Sequence, residues 1–120
     1  MDASGEQMKL ASEKCGVKIY KMFGKYTVNT SEHYYKVCAP VVKDKDAKSI
    51  LLDFGEVEEI DTAGFACVMN FMKEHLRGGA KIGIINVNRK EKDLAEILKI
   101  ESAIKYYNSE EEAIQELRCD

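Results

Sequence analysis

A chain of 120 residues is the size of one ordinary domain, and 45% hydrophobic against 32% charged residues describes a globular protein with a single modest core. The net charge of -3 provides no basic field to collect phosphates, which argues against nucleic acid as a partner. No apolar run has the length a bilayer requires, and Met1 to Glu6 lacks the basic and apolar regions of a secretory signal, so a cytoplasmic protein without direct membrane insertion is expected, its domain spanning residues 1–120 with 1–6 as a flexible lead-in.

In chain order, Met8 to Ser12 and Val17 to Phe23 alternate apolar with polar or basic residues around the punctuation at Lys14 to Gly16, which predicts a hairpin with one solvated face. Asn29-Thr30-Ser31-Glu32 is a capping box, and the helix it opens through Tyr34, Tyr35, Val37 and Cys38 meets Pro40, which kinks or ends it. Ser49 to Phe54 is apolar without alternation until Asp53, as in a central strand covered on both faces. An acidic turn, Gly55 to Glu59, then leads to Asp61-Thr62-Ala63-Gly64. The helix that follows, Gly64 to Arg77, carries Phe65, Val68, Met69, Met72 and Leu76 on one stripe and Asn70, Lys73, Glu74 and Arg77 on the other. Gly78-Gly79 stops it, and Lys81 to Asn86 reads as a second central strand. A third helix through Leu94, Ala95, Ile97 and Leu98, capped by Asn88 or a neighbour, a short strand Ile104 to Tyr107, and a terminal helix opened by Ser109-Glu110-Glu111-Glu112 complete the order. Strand, helix, strand, helix, strand, helix with right-handed crossovers gives an α/β fold: a mostly parallel sheet of four to five strands, an N-terminal hairpin strand and about four helices.

The step from Asp61 to Phe65 is the candidate site. A hydroxyl at the start of a helix stands beside free backbone N–H groups, which makes Thr62 the candidate switch; the structural alternative is that Thr62 caps the helix and Gly64 lets it approach a strand. Small residues at Ala63 and Gly64 would also let a partner's backbone come close, so Gly64→Arg is expected to block capture without unfolding the chain.

The strings Ile50 to Phe54, Glu59-Ile60-Asp61-Thr62-Ala63-Gly64, Gly78-Gly79, Ile84-Ile85-Asn86-Val87 and Tyr107-Asn108-Ser109-Glu110-Glu111-Glu112-Ala113 together resemble the STAS domain of bacterial anti-sigma factor antagonists, from about Val17 onward. The segment Gly24 to Thr30 matches the family's approach to its first helix. The resemblance implies a partner-switching module without catalysis of its own and without a cofactor. Its partners would be an anti-sigma factor serine/threonine kinase, which phosphorylates the position matching Thr62, and a PP2C-type phosphatase. The implied contact surface joins Asp61, Thr62, Ala63, Gly64 and Phe65 to the loop Thr27, Val28, Asn29 and Thr30. The chain departs from the family at Thr27, usually Asp, at Ala63, usually a second hydroxyl residue, and at Phe65-Ala66, usually Leu-Gly. Asp61 to Ala66 also resembles the small STAS subunit that docks on the ATPase of Mla-type phospholipid ABC transporters.

An enzyme finds little support. His33 and His75 are not at ligand spacing, and no nucleophile with a base and no phosphate-binding glycine loop is present. The cysteines Cys15, Cys38, Cys67 and Cys119 form no Cys-x-x-Cys pair, so reduced thiols are expected and no metal, with Cys38 and Cys67 reading as buried.

Overall fold

The structure, a computed structural model, describes residues 7–27, 38–99 and 104–118. Its strands are β1 (Met8–Lys14), β2 (Val17–Tyr26), β3 (Ser49–Ile60), β4 (Lys81–Ile85) and β5 (Ile104–Tyr107), and its helices α1 (Ala39–Val42), α2 (Thr62–Arg77), α3 (Arg89–Ile97) and α4 (Glu110–Leu117). The strands form one sheet in the order β1-β2-β3-β4-β5, antiparallel between β1 and β2 and parallel thereafter. The hairpin pairs Lys14 with Val17, leaving Cys15 and Gly16 as a two-residue turn with φ of 52° and 78°. Positive φ at both central residues matches the twist of the strands it joins.

The uniform apolar run of β3 has its explanation in two layers. Ile50, Leu52 and Phe54 face a large core with Tyr20, Met22, Tyr26 and the buried stripe of α2, while Leu51 joins Val17, Ile19, Ile85, Ala113 and Leu117 in a smaller core under α4. A central strand covered on both faces has no polar face to alternate.

Gly83 is where that second layer closes on the sheet. A Cβ there would stand 2.6 Å from Tyr107 Cε2 and 2.9 Å from Leu117 Cδ1, both flanked by packed neighbours, and the nearby Ser49 hydroxyl anchors α4 by donating to the Leu117 carbonyl at 2.5 Å. Gly83→Ala is therefore expected to destabilise the chain by about 1–3 kcal/mol through overpacking, read as a lower denaturant midpoint with an unchanged slope; an unchanged midpoint would show that α4 shifts at no cost.

Two expectations are corrected by the chain's own pairing. The acidic segment Gly55 to Glu59 is not a turn but the second half of β3, because β2 runs on to Tyr26 and pairs Phe23 with Glu56, Gly24 with Val57, Lys25 with Glu59 and Tyr26 with Ile60 across two register shifts. Glu56, Glu58 and Glu59 remain exposed, so a strand tolerates them. Pro40 lies in the first turn of the short helix α1, where its missing N–H costs nothing. The helix expected from Asn29 lies outside the described residues. Finally, β4 stops at Ile85, and Asn86 takes φ of 61°, a left-handed conformation that asparagine tolerates better than most residues.

The helix ends follow the expected chemistry. Asn88 caps α3 in a reciprocal capping box with Glu91, and Ser109 caps α4 by accepting from the Glu112 N–H. Burial pushes the Glu91 carboxyl upward, and the Asn88 N–H it accepts draws it back. At the end of α2, Gly79 N–H donates to the Leu76 carbonyl and Ala80 N–H to that of His75, with Gly79 at φ of 92°. This is the left-handed glycine stop that Gly78-Gly79 announces.

A polar cluster pins the segment after α1 to β2. The Lys18 ammonium and the Tyr20 hydroxyl both donate to Asp44 Oδ2, at 2.6 and 2.8 Å, and the buried His75 ring meets the Val41 carbonyl at 2.8 Å. Burial acts to raise the Asp44 carboxyl, but the bonds from Lys18 and Tyr20 outweigh it and leave it below the ordinary carboxylate value. A carboxyl depressed in the folded state stabilises above its unfolded value, near 3.9, and loses that contribution as pH falls through the folded value. Asp44→Asn is accordingly expected to lose about 1–2 kcal/mol at neutral pH and progressively less as pH falls below about 3.9, measured by urea unfolding; a loss that does not change with pH would place the effect elsewhere.

Candidate functional site

The end of β3 and the first turn of α2 form the site, and Asp61 organises both. Its backbone N–H donates to the Tyr26 carbonyl at 3.1 Å, joining the end of β2 to the start of the helix, and its carbonyl accepts from Phe65 N–H at 2.9 Å. Its side chain caps the helix, Oδ1 accepting from Gly64 N–H at 2.8 Å. Capping thus belongs to Asp61 and not to Thr62. Thr62 is the first helical residue, exposed, with Ala63 exposed beside it. A side chain there stands where orphan N–H groups and the helix dipole favour negative charge.

The two residues that follow point the other way. Gly64 is buried, and Phe65 is fully buried, its ring 5.8 Å from that of Phe54. Both are buried in the free chain, because a helix that packs its apolar stripe on the sheet must bury its first inward positions. Of the other expected contact residues, Thr27 is brought next to the turn by the pairing of Tyr26 with Ile60, and only 9% of its surface is exposed. Val28, Asn29 and Thr30 lie outside the described residues.

The exposed Glu56, Glu58 and Glu59 precede Asp61 on β3, so Thr62 stands at the end of a run of carboxylates. Beneath that run, Asp53 Oδ1 accepts from Gly55 N–H at 2.8 Å and from the Asn86 amide at 2.9 Å, tying the end of β4 to β3. This tie escaped the sequence reading; the signal for it was Asn86 directly after an apolar strand, a residue that readily turns left-handed.

Cys67, one turn and a little more along α2, is half-buried, and Cys38 is buried in the same large core. Burial, with the neighbouring Cys67, pushes the Cys38 thiol up to about 12, which leaves it an inert core group. Among the described residues no group of three or more His, Cys, Asp or Glu side chains is placed to hold a metal ion, and no helix is long and apolar enough to cross a membrane.

The family model of the STAS domain matches residues 9–113. The chain belongs to the STAS domain family. Solved structures share the fold of this STAS domain at low identity. A candidate anti-sigma factor antagonist from Thermotoga maritima is 19% identical, with a TM-score of 0.74 over 90% of this chain and 92% of that one. The phosphorylated form of the Bacillus cell fate determinant SpoIIAA is 16% identical, with a TM-score of 0.66 over 92% and 99%. A murine anion transporter, Solute Carrier 26 family member A9, contains the same fold within a much longer chain: 18% identity and a TM-score of 0.70 over 88% of this chain but 18% of that one. No curated protein matches the sequence closely enough to count as a relative.

Proposed function

We propose that this STAS domain is an anti-sigma factor antagonist-like module, acting as one domain in the cytoplasm, that captures an anti-sigma factor serine/threonine kinase and is released when that kinase phosphorylates Thr62. A PP2C-type phosphatase resets it. The contact patch is Asp61, Thr62 and Ala63 with Thr27 and the following Val28, Asn29 and Thr30; Gly64 and Phe65 support it from below.

One observation carries this reading. Asp61 makes the cap, so the exposed Thr62 hydroxyl is not required to satisfy the helix end and is available to a kinase. A phosphothreonine would bring about -1.5 to -2 charge and three acceptor oxygens to a position that the helix dipole favours, so the fold has no reason to open. In an interface the same dianion would be desolvated beside Asp61 and the carboxylates of β3, which favours release.

A second reading is docking on the ATPase of an Mla-type phospholipid ABC transporter, favoured by Ala63 where antagonists have a second hydroxyl residue. The murine anion transporter is a precedent for this fold within a transport protein. Affinity purification of the tagged chain from its native host, with mass spectrometry of the recovered proteins, separates the two. Recovery of a serine/threonine kinase of the anti-sigma type supports the switch; recovery of an ABC ATPase with its permease replaces it by docking.

A further inference from the structure

Strand β3 outruns its neighbour β4. The two pair only from Ser49 to Asp53, and β4 stops at Ile85, whereas β2 follows β3 as far as Ile60. Gly55 still meets the Asn86 side chain, a Cβ added there standing 3.4 Å from its Nδ2. From Glu56 onward, among the described residues, β3 is laddered on the β2 side alone. Alternate N–H and C=O groups of a strand paired on one side point outward and template a further strand. Glu56 to Ile60, at about 3.3 Å per residue, gives an added segment a length of about five residues.

The side chains along this edge are sorted by face. The register slips between the Gly24–Val57 and Lys25–Glu59 pairs, which leaves Glu58 as an extra residue, a bulge that re-aims the side chains around it. Val57 packs against the large core and Ile60 is buried in it, while Glu56, Glu58 and Glu59 are all exposed. One face of the edge is therefore apolar and the other carries three carboxylates, with Lys25 opposite Glu59 on β2. Charge then decides what the edge admits. A second copy pairing through the same edge would set carboxylate against carboxylate, which is unfavourable across strands. The outer edge of the sheet differs: β1 is blunted by its own bulge after Leu10 and by the exposed Lys9 and Lys14.

We propose that the edge of β3 from Glu56 to Ile60 takes an extended segment of a partner protein as an added strand, one in which lysine or arginine alternates with apolar residues. Its apolar side chains lie on the Val57 face and its cations beside Glu56, Glu58 and Glu59. Backbone hydrogen bonds supply the affinity, and the carboxylates select the sequence. The site adjoins the Thr62 turn and is independent of whether Thr62 is modified.

An NMR titration of the full ¹⁵N-labelled chain with an acetylated and amidated peptide of about seven residues, alternating lysine with valine, tests it. The expected result is a saturable shift and slowed hydrogen exchange of the amides from Glu56 to Glu59, unchanged in Thr62→Val. The same peptide methylated at its backbone nitrogens, and a peptide alternating glutamate with valine, should each bind at least about tenfold more weakly. Glu58→Gln and Glu59→Gln should each weaken the lysine peptide about threefold and together about tenfold, with the urea midpoint of the free chain nearly in place. The proposal is overturned if the lysine peptide causes no saturable shift, or if the two glutamine substitutions leave its affinity unchanged. Equal binding of the N-methylated peptide also overturns it and makes the carboxylates a plain acidic surface that protects the edge. A shift of the same amides with the concentration of the chain alone would make a second copy the occupant and overturn it as well.

Discussion

Phosphorylation of Thr62 is expected to weaken capture of the partner about 100-fold or more, equivalent to about 3 kcal/mol, while leaving the unfolding curve of the free chain nearly in place. The two halves of this result have different origins. In the free chain the phosphate sits in water at the start of α2, where the cap from Asp61 to Gly64 N–H persists and the dipole is favourable. In the complex it loses that water next to Asp61 and behind the exposed Glu56, Glu58 and Glu59, and close like charges in an interface cost several kcal/mol. Thr62→Val, which keeps the shape and removes the acceptor of phosphate, should bind within about twofold of the unmodified chain and no longer respond to the kinase. Calorimetry of the purified partner with unmodified, phosphorylated and Thr62→Val protein measures all three. Equal affinity of the phosphorylated and unmodified forms would remove Thr62 from the switch.

Adjacent positions in the same turn should give opposite outcomes on arginine substitution. Gly64 is buried where α2 meets the sheet, so Gly64→Arg must either bury an unpaired guanidinium or lift the helix, a loss of about 4 kcal/mol or more that unfolds much of the population of a marginally stable domain. Ala63 is exposed, and Ala63→Arg should change stability by no more than about 0.5 kcal/mol while placing a long cation in the contact patch and abolishing capture. Urea unfolding and a pull-down with the partner distinguish the two. A folded Gly64→Arg chain would mean that the space above Gly64 is open after all, and full capture by Ala63→Arg would move the contact patch away from the turn.

That contrast also shows where the sequence stops being informative. Asp61-Thr62-Ala63-Gly64 is legible as a helix start because each residue has a local role: a capping carboxylate, a hydroxyl, small side chains. Which of them face outward is set by how α2 rotates to bury Phe65, Val68, Met69 and Met72, and that rotation depends on the sheet beneath. His75 is buried for the same reason, its ring meeting the Val41 carbonyl, although nothing in its neighbours distinguishes it from a surface histidine. The acidic stretch before the site was misread as a turn because charge density and a glycine are turn signals; the pairing partner that makes it a strand, Phe23 to Tyr26, is some thirty residues away in the chain.

By itself the sequence determined the order of the strands and of the helices from α2 onward, the caps at Asn88 and Ser109, the glycine stop after Arg77, the central strand without alternation, the resemblance to the STAS family and a hydroxyl at the start of α2. These are set by local conformational preferences and by hydrophobic period, which act over a few residues. Only the tertiary structure decided that β3 runs on to Ile60, that Gly64 and Phe65 are buried while Thr62 and Ala63 are exposed, and that Asp53 ties Asn86 to β3. Each of these depends on contacts between segments far apart in the chain, whose closeness is a property of the packed sheet and its helices and of no single stretch of sequence.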